Sequence, residues 1–450
     1  MICQSVILAA GLSTRMKSRI PKVLHLLGGK PLLWWAIQPV KDATQREPTI
    51  VIGPDSDDIR DAIGDEFTFV EQIERLGTGH ALLQTKDQLE GSSELVLVTS
   101  ADMPLFRSET LISLIRVQDD HKGPMSLLIA KPSRSRGFGR ILRNEGGGIV
   151  EIVEEALANE GQLALKEVNV GAYCFQSDWL WEHLTRLPLS AKGEYYLTDL
   201  VGLATAEGST VAWVEVDDED EIIGINTREH LAEAHAALRR RINRQWMLAG
   251  VTIVDPSSTY IDPDVSIGMD TTVHPNTYLE GNTVIGEGCV LGPNSIIRNA
   301  AMGDRCHVLM SVMEGATLED EVLIGPFARL RKGAYLCHGV HMGNFGEVKN
   351  STLKPGVKLG HFSYIGDATI GENTNIGAGT ITCNFDGVRK NHTEIGEDVF
   401  IGSDTMLVAP LSVGKGARTG AGSVVTKDVP ENTLVAGIPA RAIRKLDQGE

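Results

Sequence analysis

The apolar positions of this chain follow two rhythms. From residue 267 onward an aliphatic side chain recurs every sixth position, often with glycine directly after it. Ile267, Val273, Leu279, Ile285, Leu291 and Ile297 keep strict register, and Ile324, Leu330, Leu336, Met342 and Val348 resume it. After a slip of one residue come Leu353, Leu359 and Ile365, then Ile370 and Ile376, and later Ile395, Ile401, Leu407 and Val413. Period six fits neither an amphipathic helix nor a two-faced strand. It fits a triangular prism whose short faces each turn one aliphatic side chain inward, which predicts a parallel β-helix. Narrow corners explain Ile324-Gly325, Ile370-Gly371, Ile376-Gly377 and Ile401-Gly402. Close turns and left-handed φ are easiest there without a Cβ.

Residues 1–226 carry the other rhythm, short β-branched runs alternating with helical patterns. Ser5 to Leu8, Thr49 to Ile52, Leu95 to Thr99, Met125 to Ala130 and Val211 to Val216 read as strands, with helices near 31–43, 77–89, 107–118 and 196–206. Such alternation predicts an α/β, Rossmann-like domain: a mostly parallel sheet between helices, with ligands at the C-terminal strand ends. Residues 227–249 place Leu231, Leu238, Ile242 and Trp246 on one face before Gly250, a linker helix whose Arg239 to Arg241 run reads as a solvated face. The β-helix then occupies 250–450. The stretch CNFDGVRKNHT, residues 383–393, breaks the hexads and must loop out, and a charged terminal segment starts near 426.

Composition narrows the partners. The 450 residues are 42% apolar and 22% charged, enough for two or three cores, and the 48 glycines concentrate in the hexads. A net charge of −17 argues against nucleic-acid and membrane-surface roles, which rely on a broad basic face. Any phosphate site must therefore be a local cluster of Lys, Arg and backbone N–H groups. The N-terminal MICQSVILAAG is too short and lacks a basic leader for a signal peptide or membrane span. Cys3, Cys174, Cys289, Cys306, Cys337 and Cys383 show no C-x-x-C spacing, which fits reduced thiols in the cytoplasm.

The first strand runs into LAAGLSTRMKSRIPKVLH, residues 8–25. Small residues let the backbone approach a ligand, while Arg15 and Lys22 set cations beside it, as a triphosphate requires. This segment is similar to the signature of sugar-nucleotide pyrophosphorylases. The resemblance continues in order through Gln72, Leu76-Gly77-Thr78-Gly79-His80, Asp102, Gly137-Phe138-Gly139-Arg140, Ile152-Val153-Glu154, Asn169, Gly171, Tyr195-Tyr196-Leu197-Thr198-Asp199 and Asn226. It implies a UTP site made by Leu8, Ala9, Ala10, Gly11, Lys22, Gln72, Gly77 and Thr78. Lys22 and Arg15 would stabilise the transferring phosphoryl group. Asp102 and Asn226 would hold Mg²⁺, and Gly139, Glu154, Asn169 and Asn226 would bind the sugar phosphate. A sugar-1-phosphate is already nucleophilic near neutral pH, so alignment and charge neutralisation suffice. Two positions depart from the family pattern: Ser13 and Ala101 stand where glycine is usual, each costing about 1 kcal/mol if φ must be positive.

The hexads also carry polar residues that a spacer does not need. His361, Glu347, Lys349, Tyr364, Asn375 and Asn384 fall within 343–387, and coils of about 18 residues would stack 347, 349, 361 and 364. This set resembles the C-terminal domain of the bifunctional N-acetylglucosamine-1-phosphate uridyltransferase/glucosamine-1-phosphate acetyltransferase family, and both halves match that family in order. The resemblance implies left-handed coiling and a homotrimer, with Lys390 able to serve a neighbouring chain. It implies His361 as the base that deprotonates the 2-amino group of glucosamine-1-phosphate as it attacks acetyl-CoA, with Glu347 orienting the imidazole. Arg331, Lys349, Tyr364 and Asn375 would bind the sugar phosphate. Asn384, Phe385, Ser403 and Ala421 would line the acetyl-CoA site together with Lys390. The product N-acetylglucosamine-1-phosphate would feed the first site. Phe385 replaces a usual tyrosine, Lys332 a usual proline, and Gly437 lies near a position often basic.

Two other readings use the same residues. The hexads could be a trimerising scaffold behind a single nucleotidyltransferase, or the chain could bind sugar nucleotides with an inactive first site. The set His361, Glu347, Lys349 and Tyr364 is superfluous in a scaffold, and magnesium-dependent pyrophosphate release is absent from a pure binder.

Overall fold

The computed structural model describes residues 2–11, 14–54, 56–134 and 137–445. The chain forms two compact units, Met1–Leu238 and Arg239–Glu450.

In the first unit, seven of the nine described strands of one sheet run in the order Ala212–Glu215, Met125–Ala130, Val168–Gln176, Leu95–Ser100, Cys3–Leu8, Thr49–Ile52, Thr68–Glu71, with the antiparallel pair Arg140–Arg143 and Ile149–Val153 off this path. Neighbours on the path are parallel except Val168–Gln176, which is antiparallel to both of its neighbours there. Helices cover both faces, so the strands read as unbroken apolar runs, and TIVI and MSLLIA are buried throughout. Successive residues serve opposite cores. Ile7, Ile50, Leu97 and Leu128 pack with Leu33, Ile37, Leu111 and Leu114. Val6, Val51, Val98 and Leu127 pack with Leu82, Leu180, Trp181 and Leu200.

The sequence pattern hid part of this sheet. Val168–Gln176 breaks the strand-helix alternation, and its register shifts between Asn169 and Tyr173, where Gly171 takes φ +79°. The helix expected at 77–89 is two pieces, Thr78–Leu83 and Lys86–Leu89, because the Thr85 hydroxyl caps the Leu82 carbonyl at 2.8 Å. The helix expected from 196 starts at Asp199.

The long helix is Arg228–Leu248. Its buried positions are Ala234, Ala237, Leu238, Ile242 and Asn243, two of them small residues that a search for large apolar groups passes over. The arginine run is not simply solvated, since Arg239 stacks 4.9 Å from the Tyr260 ring. Asn243 donates to the carbonyls of Pro256 and Thr259 at 2.9 and 3.0 Å, a contact wholly within the second unit.

That unit is a parallel β-helix of three sheets, every third strand belonging to the same sheet. Between Ile297 and Ile324, where the hexads lapse, the prism continues through buried Met302, Val308, Met313 and Leu318. Shorter faces explain the lapse, as with His307 paired to Leu323. The glycines need a corrected reason. Gly325 does take φ +100°. A Cβ on Gly377 would lie 2.6 Å from the Ser403 nitrogen, and one on Gly402 2.5 Å from the Thr419 carbonyl oxygen, so coil-to-coil approach selects glycine there. Left-handed φ is shared between other glycines, such as Gly339, Gly379 and Gly416, and Asn or Asp, as at Asn276, Asn294, Asn373, Asp398 and Asp404.

Candidate functional sites

The first site lies at the C-terminal ends of the parallel strands Cys3–Leu8, Thr49–Ile52 and Leu95–Ser100. There the chain turns through two short 3-10 segments, Thr14–Met16 and Lys22–Leu24, that carry Arg15 and Lys22. The Lys22 ammonium donates to Asp102 Oδ2 at 2.8 Å and to Asn226 Oδ1 at 3.3 Å, and Arg15 Nη2 donates to the same Asn226 oxygen at 2.9 Å. Four residues remote in sequence thus meet. Burial pushes the Asp102 carboxyl up, but the charge and hydrogen bond of Lys22, helped by Ser100, outweigh it and hold Asp102 below the usual carboxylate range. Asp102 and Asn226 both present oxygens to one cation, the donor chemistry that Mg²⁺ favours. Among the described residues no cluster of three or more His, Cys, Asp or Glu is placed to hold a metal.

A cavity of about 620 Å³ opens beside this cluster, lined by Ala9, Ala10, Gly11, Lys22, Gly53 and Arg75. Sequence reasoning missed Arg75, whose Nε donates to the Ala10 carbonyl at 3.0 Å. Its signal was a cation directly before the Leu76-to-His80 segment. That segment is bolted in place: the Gly79 nitrogen donates to Tyr195 at 2.8 Å, the Tyr195 nitrogen to Leu76 at 2.8 Å, and the Leu197 nitrogen to Thr78 Oγ1 at 3.0 Å. Gly77 is obligatory, with φ +96° and a Cβ position 2.7 Å from the Tyr195 oxygen. Buried Gln72 spans the Gly77 carbonyl and His80 Nδ1 at 3.0 and 3.1 Å.

On the sugar side, the Asn169 nitrogen donates to the Gly139 carbonyl at 2.9 Å and its amide to the Tyr173 hydroxyl at 2.6 Å. Glu154 accepts from Thr198 Oγ1 at 2.9 Å, and burial raises its carboxyl above the ordinary range. Ala101 is buried without a left-handed φ, so its Cβ carries no backbone strain. Ser13 lies outside the described residues.

In the β-helix, Glu347 and Tyr364 are direct register partners, as are Lys349 and Gly366. Arg331 extends from the preceding coil, its Nη1 donating to Glu347 Oε1 at 2.8 Å. Glu347 is the residue expected to orient the imidazole. Its carboxylate is taken by Arg331, while His361 Nδ1 faces Asn344 Oδ1 at 3.4 Å, one coil earlier at the same corner. Corner stacking aligns Gly343, Gly360, Gly377, Gly402 and Gly420, so the residues that follow them, including Asn344, His361, Ser403 and Ala421, form one column. Asn375 stands on another sheet from Tyr364, between Lys358 and Phe400.

The Cys383–Thr393 excursion leaves the prism and closes through a Phe385–Lys390 bridge. Asp386 organises it by accepting from the Val388 and Arg389 nitrogens and the Asn391 amide, which lower its carboxyl to about 2. Phe385 is exposed at the base of this loop. The loop returns Lys390 against Lys349 of its own chain, and that contact depresses the Lys349 ammonium from its usual value. Asn384 donates to Asp367, a residue outside the sequence motifs described above.

Residues 5–244 match the family described as MobA-like NTP transferase domain, and residues 264–299 and 392–427 match bacterial transferase hexapeptide repeats. The chain is 43% identical over 431 residues to the bifunctional protein GlmU of Heliobacterium modesticaldum, covering 96% of this chain and 94% of that one. It is 44% identical over 437 residues to the bifunctional protein GlmU of Trichlorobacter lovleyi, covering 96% and 95%. It is 42% identical over 434 residues to the bifunctional protein GlmU of Streptococcus agalactiae serotype V, again covering 96% and 95%.

Proposed function

Because this chain belongs to the family of bifunctional GlmU proteins, we propose that it makes UDP-N-acetylglucosamine in two steps. The β-helix, left-handed in this family, transfers acetyl from acetyl-CoA to glucosamine-1-phosphate. The first unit then joins the resulting N-acetylglucosamine-1-phosphate to UTP and releases pyrophosphate. The observation that carries the reading is the meeting of Arg15, Lys22, Asp102 and Asn226 at one strand edge beside a glycine-lined cavity.

In uridylyl transfer, a phosphate oxygen of the sugar ester attacks the α-phosphorus of UTP, and the bond to pyrophosphate breaks. Lys22 and Arg15 offset the negative charge that builds on the transferring group. Ala9 to Gly11 admit the nucleotide backbone, Gln72 and Gly77 face the base, and Glu154, Asn169 and Gly139 hold the sugar. Asp102 and Asn226 would hold Mg²⁺, which would supply further neutralisation of phosphate charge.

In acetyl transfer, the 2-amino nitrogen attacks the thioester carbonyl, His361 accepts the proton, and the CoA thiol leaves. Asn344 orients the ring. Glu347 holds Arg331 for the sugar phosphate with Lys349 and Tyr364, while Asn384 and Ser403 position the acetyl group. Ala421 and Phe385 line the CoA groove, and Asn375 contacts the sugar from the neighbouring face.

In this proposal the enzyme works as a homotrimer in the cytoplasm. Among the described residues no helix is long and apolar enough to cross a membrane. The test is mass spectrometry of products from glucosamine-1-phosphate, acetyl-CoA, Mg²⁺ and mixed nucleoside triphosphates. UDP-N-acetylglucosamine is expected; absence of the acetylated sugar, or equal use of all four bases, defeats the proposal. Sedimentation equilibrium checks the trimer.

A further inference from the structure

Asp367 stands where several parts of the acetyl-transfer site meet. It follows Gly366 at a corner and takes φ +50°, a conformation Asp tolerates better than most residues. Its Oδ1 accepts from Asn350 Nδ2 at 2.6 Å and its Oδ2 accepts from Asn384 Nδ2. Its backbone nitrogen donates to the Lys349 carbonyl at 3.2 Å, and its carbonyl accepts from Thr393, the last residue of the excursion, at 3.1 Å. A Cβ on Gly366 would collide with Tyr364 Oη and stand 2.8 Å from Asn384 Nδ2, so Gly366 leaves a gap that Tyr364 and Asn384 share.

We propose that Asp367 is a positioning residue for acetyl transfer: its carboxylate fixes the amide of Asn384 and sets one negative charge against the ammonium groups of Lys349 and Lys390. The inference rests on the acetyl-transfer reading above and deepens it.

An ionised carboxylate only accepts hydrogen bonds, so it forces Asn384 to present nitrogen, not oxygen, toward Asp367 and Gly366. One N–H is used by Asp367, and the second remains for the acetyl carbonyl as negative charge grows on its oxygen.

Lys349 faces Lys390 first, then Arg331, both of which disfavour its charged form, and Asp367 opposes them. Glu347 is nearby but engaged by Arg331. Asp367 stays ionised there: burial disfavours its charge, but the two Asn amides, Lys390 and Lys349 outweigh burial and hold it below the usual range. Without it, three cations would face one another with a single carboxylate between them, and Lys349 would lose its proton more readily.

The experiment is full-length Asp367→Asn assayed for both reactions across pH. Acetyl-transfer kcat/KM for glucosamine-1-phosphate is expected to fall roughly 30- to 100-fold, as for loss of a charged hydrogen-bond partner. Its alkaline limb is expected to move toward lower pH by about half a unit or more. Uridylyl transfer is expected to hold. Asp367→Glu keeps the charge but displaces Asn384, so its kcat should fall while the alkaline limb stays in place. This second variant carries the test if the first does not fold. An unchanged kcat in both variants overturns the inference, as does an unmoved limb in Asp367→Asn or a moved limb in Asp367→Glu. Wild-type protein is run alongside. If it fails to acetylate at all, the functional reading falls; if it acetylates normally and the variants match it, only the role of Asp367 falls.

Discussion

Lys22 and Asp102, eighty residues apart, meet in a 2.8 Å ion pair with Asn226 Oδ1 against the same ammonium. The cation therefore rests on the two oxygens that would hold Mg²⁺ in the proposed reaction. Asp102→Asn keeps the shape and removes the charge. Uridylyl transfer should fall about 10²- to 10³-fold, the scale of losing a preorganised electrostatic partner. A continuous pyrophosphate-release assay checks this, with acetyl transfer unchanged in the same preparation.

Glu154 tests the sugar pocket through pH. Burial raises its folded-state pKa above the unfolded value, so any stabilisation is complete below the unfolded pKa and is lost as pH rises through the folded one. At neutral pH the buried carboxylate thus opposes folding. Glu154→Gln should raise the thermal midpoint of the first unit at pH 7 and leave it little changed near pH 4. The same variant should raise KM for N-acetylglucosamine-1-phosphate, about tenfold for one lost charged hydrogen bond. Calorimetry at both pH values and initial-rate kinetics decide it.

His361 is exposed, with Asn344 as its hydrogen-bond partner. His361→Ala should lower acetyl-transfer kcat about 10²- to 10⁴-fold, the range for removing a general base. Asn344→Ala should cost only about 5- to 10-fold, as for one modest hydrogen bond. Equal losses in the two variants would assign Asn344 more than orientation. CoA release monitored with a thiol reagent gives both values.

Coil stacking makes its own prediction. A Cβ on Gly402 meets backbone of the next coil, 2.5 Å from the Thr419 oxygen and 2.8 Å from the Ala421 nitrogen. Gly402→Ala should destabilise the β-helix by roughly 1–3 kcal/mol, the scale of overpacking a core. Gly422 instead has φ +69° with nothing within 4 Å of its Cβ position. Gly422→Asn should be nearly neutral, since Asn accepts the left-handed region. Calorimetric midpoints compare the two.

Much of this molecule was open to reading from the chain. The hexads specify the prism because one inward side chain per short face is a strictly local demand, and Ile267 to Val413 meet it. The first domain's strands showed themselves through apolar runs buried on both faces. Arg15 and Lys22 were legible as cations beside a strand-to-loop junction, while Asp102 and Asn226 entered only through the family resemblance.

What stayed hidden depends on contacts between distant segments. Val168–Gln176 is antiparallel and irregular, so neither alternation nor periodicity marks it. Five-residue steps from Ile297 to Met302, Val308 to Met313 and Met313 to Leu318 carried the prism through the gap in the hexads, because a corner can shorten without changing which side chains point inward.

Tertiary packing alone decided the partners. Arg331, not His361, receives Glu347 because they occupy neighbouring coils of one face, while the imidazole sits at a corner beside Asn344. Likewise Asp367 gained its place only when Asn350, Asn384 and Lys390 folded onto it. Period and polarity are written along the chain, but which charges share a hydrogen bond is set by coil length and corner geometry, which bring together residues that local pattern treats as independent.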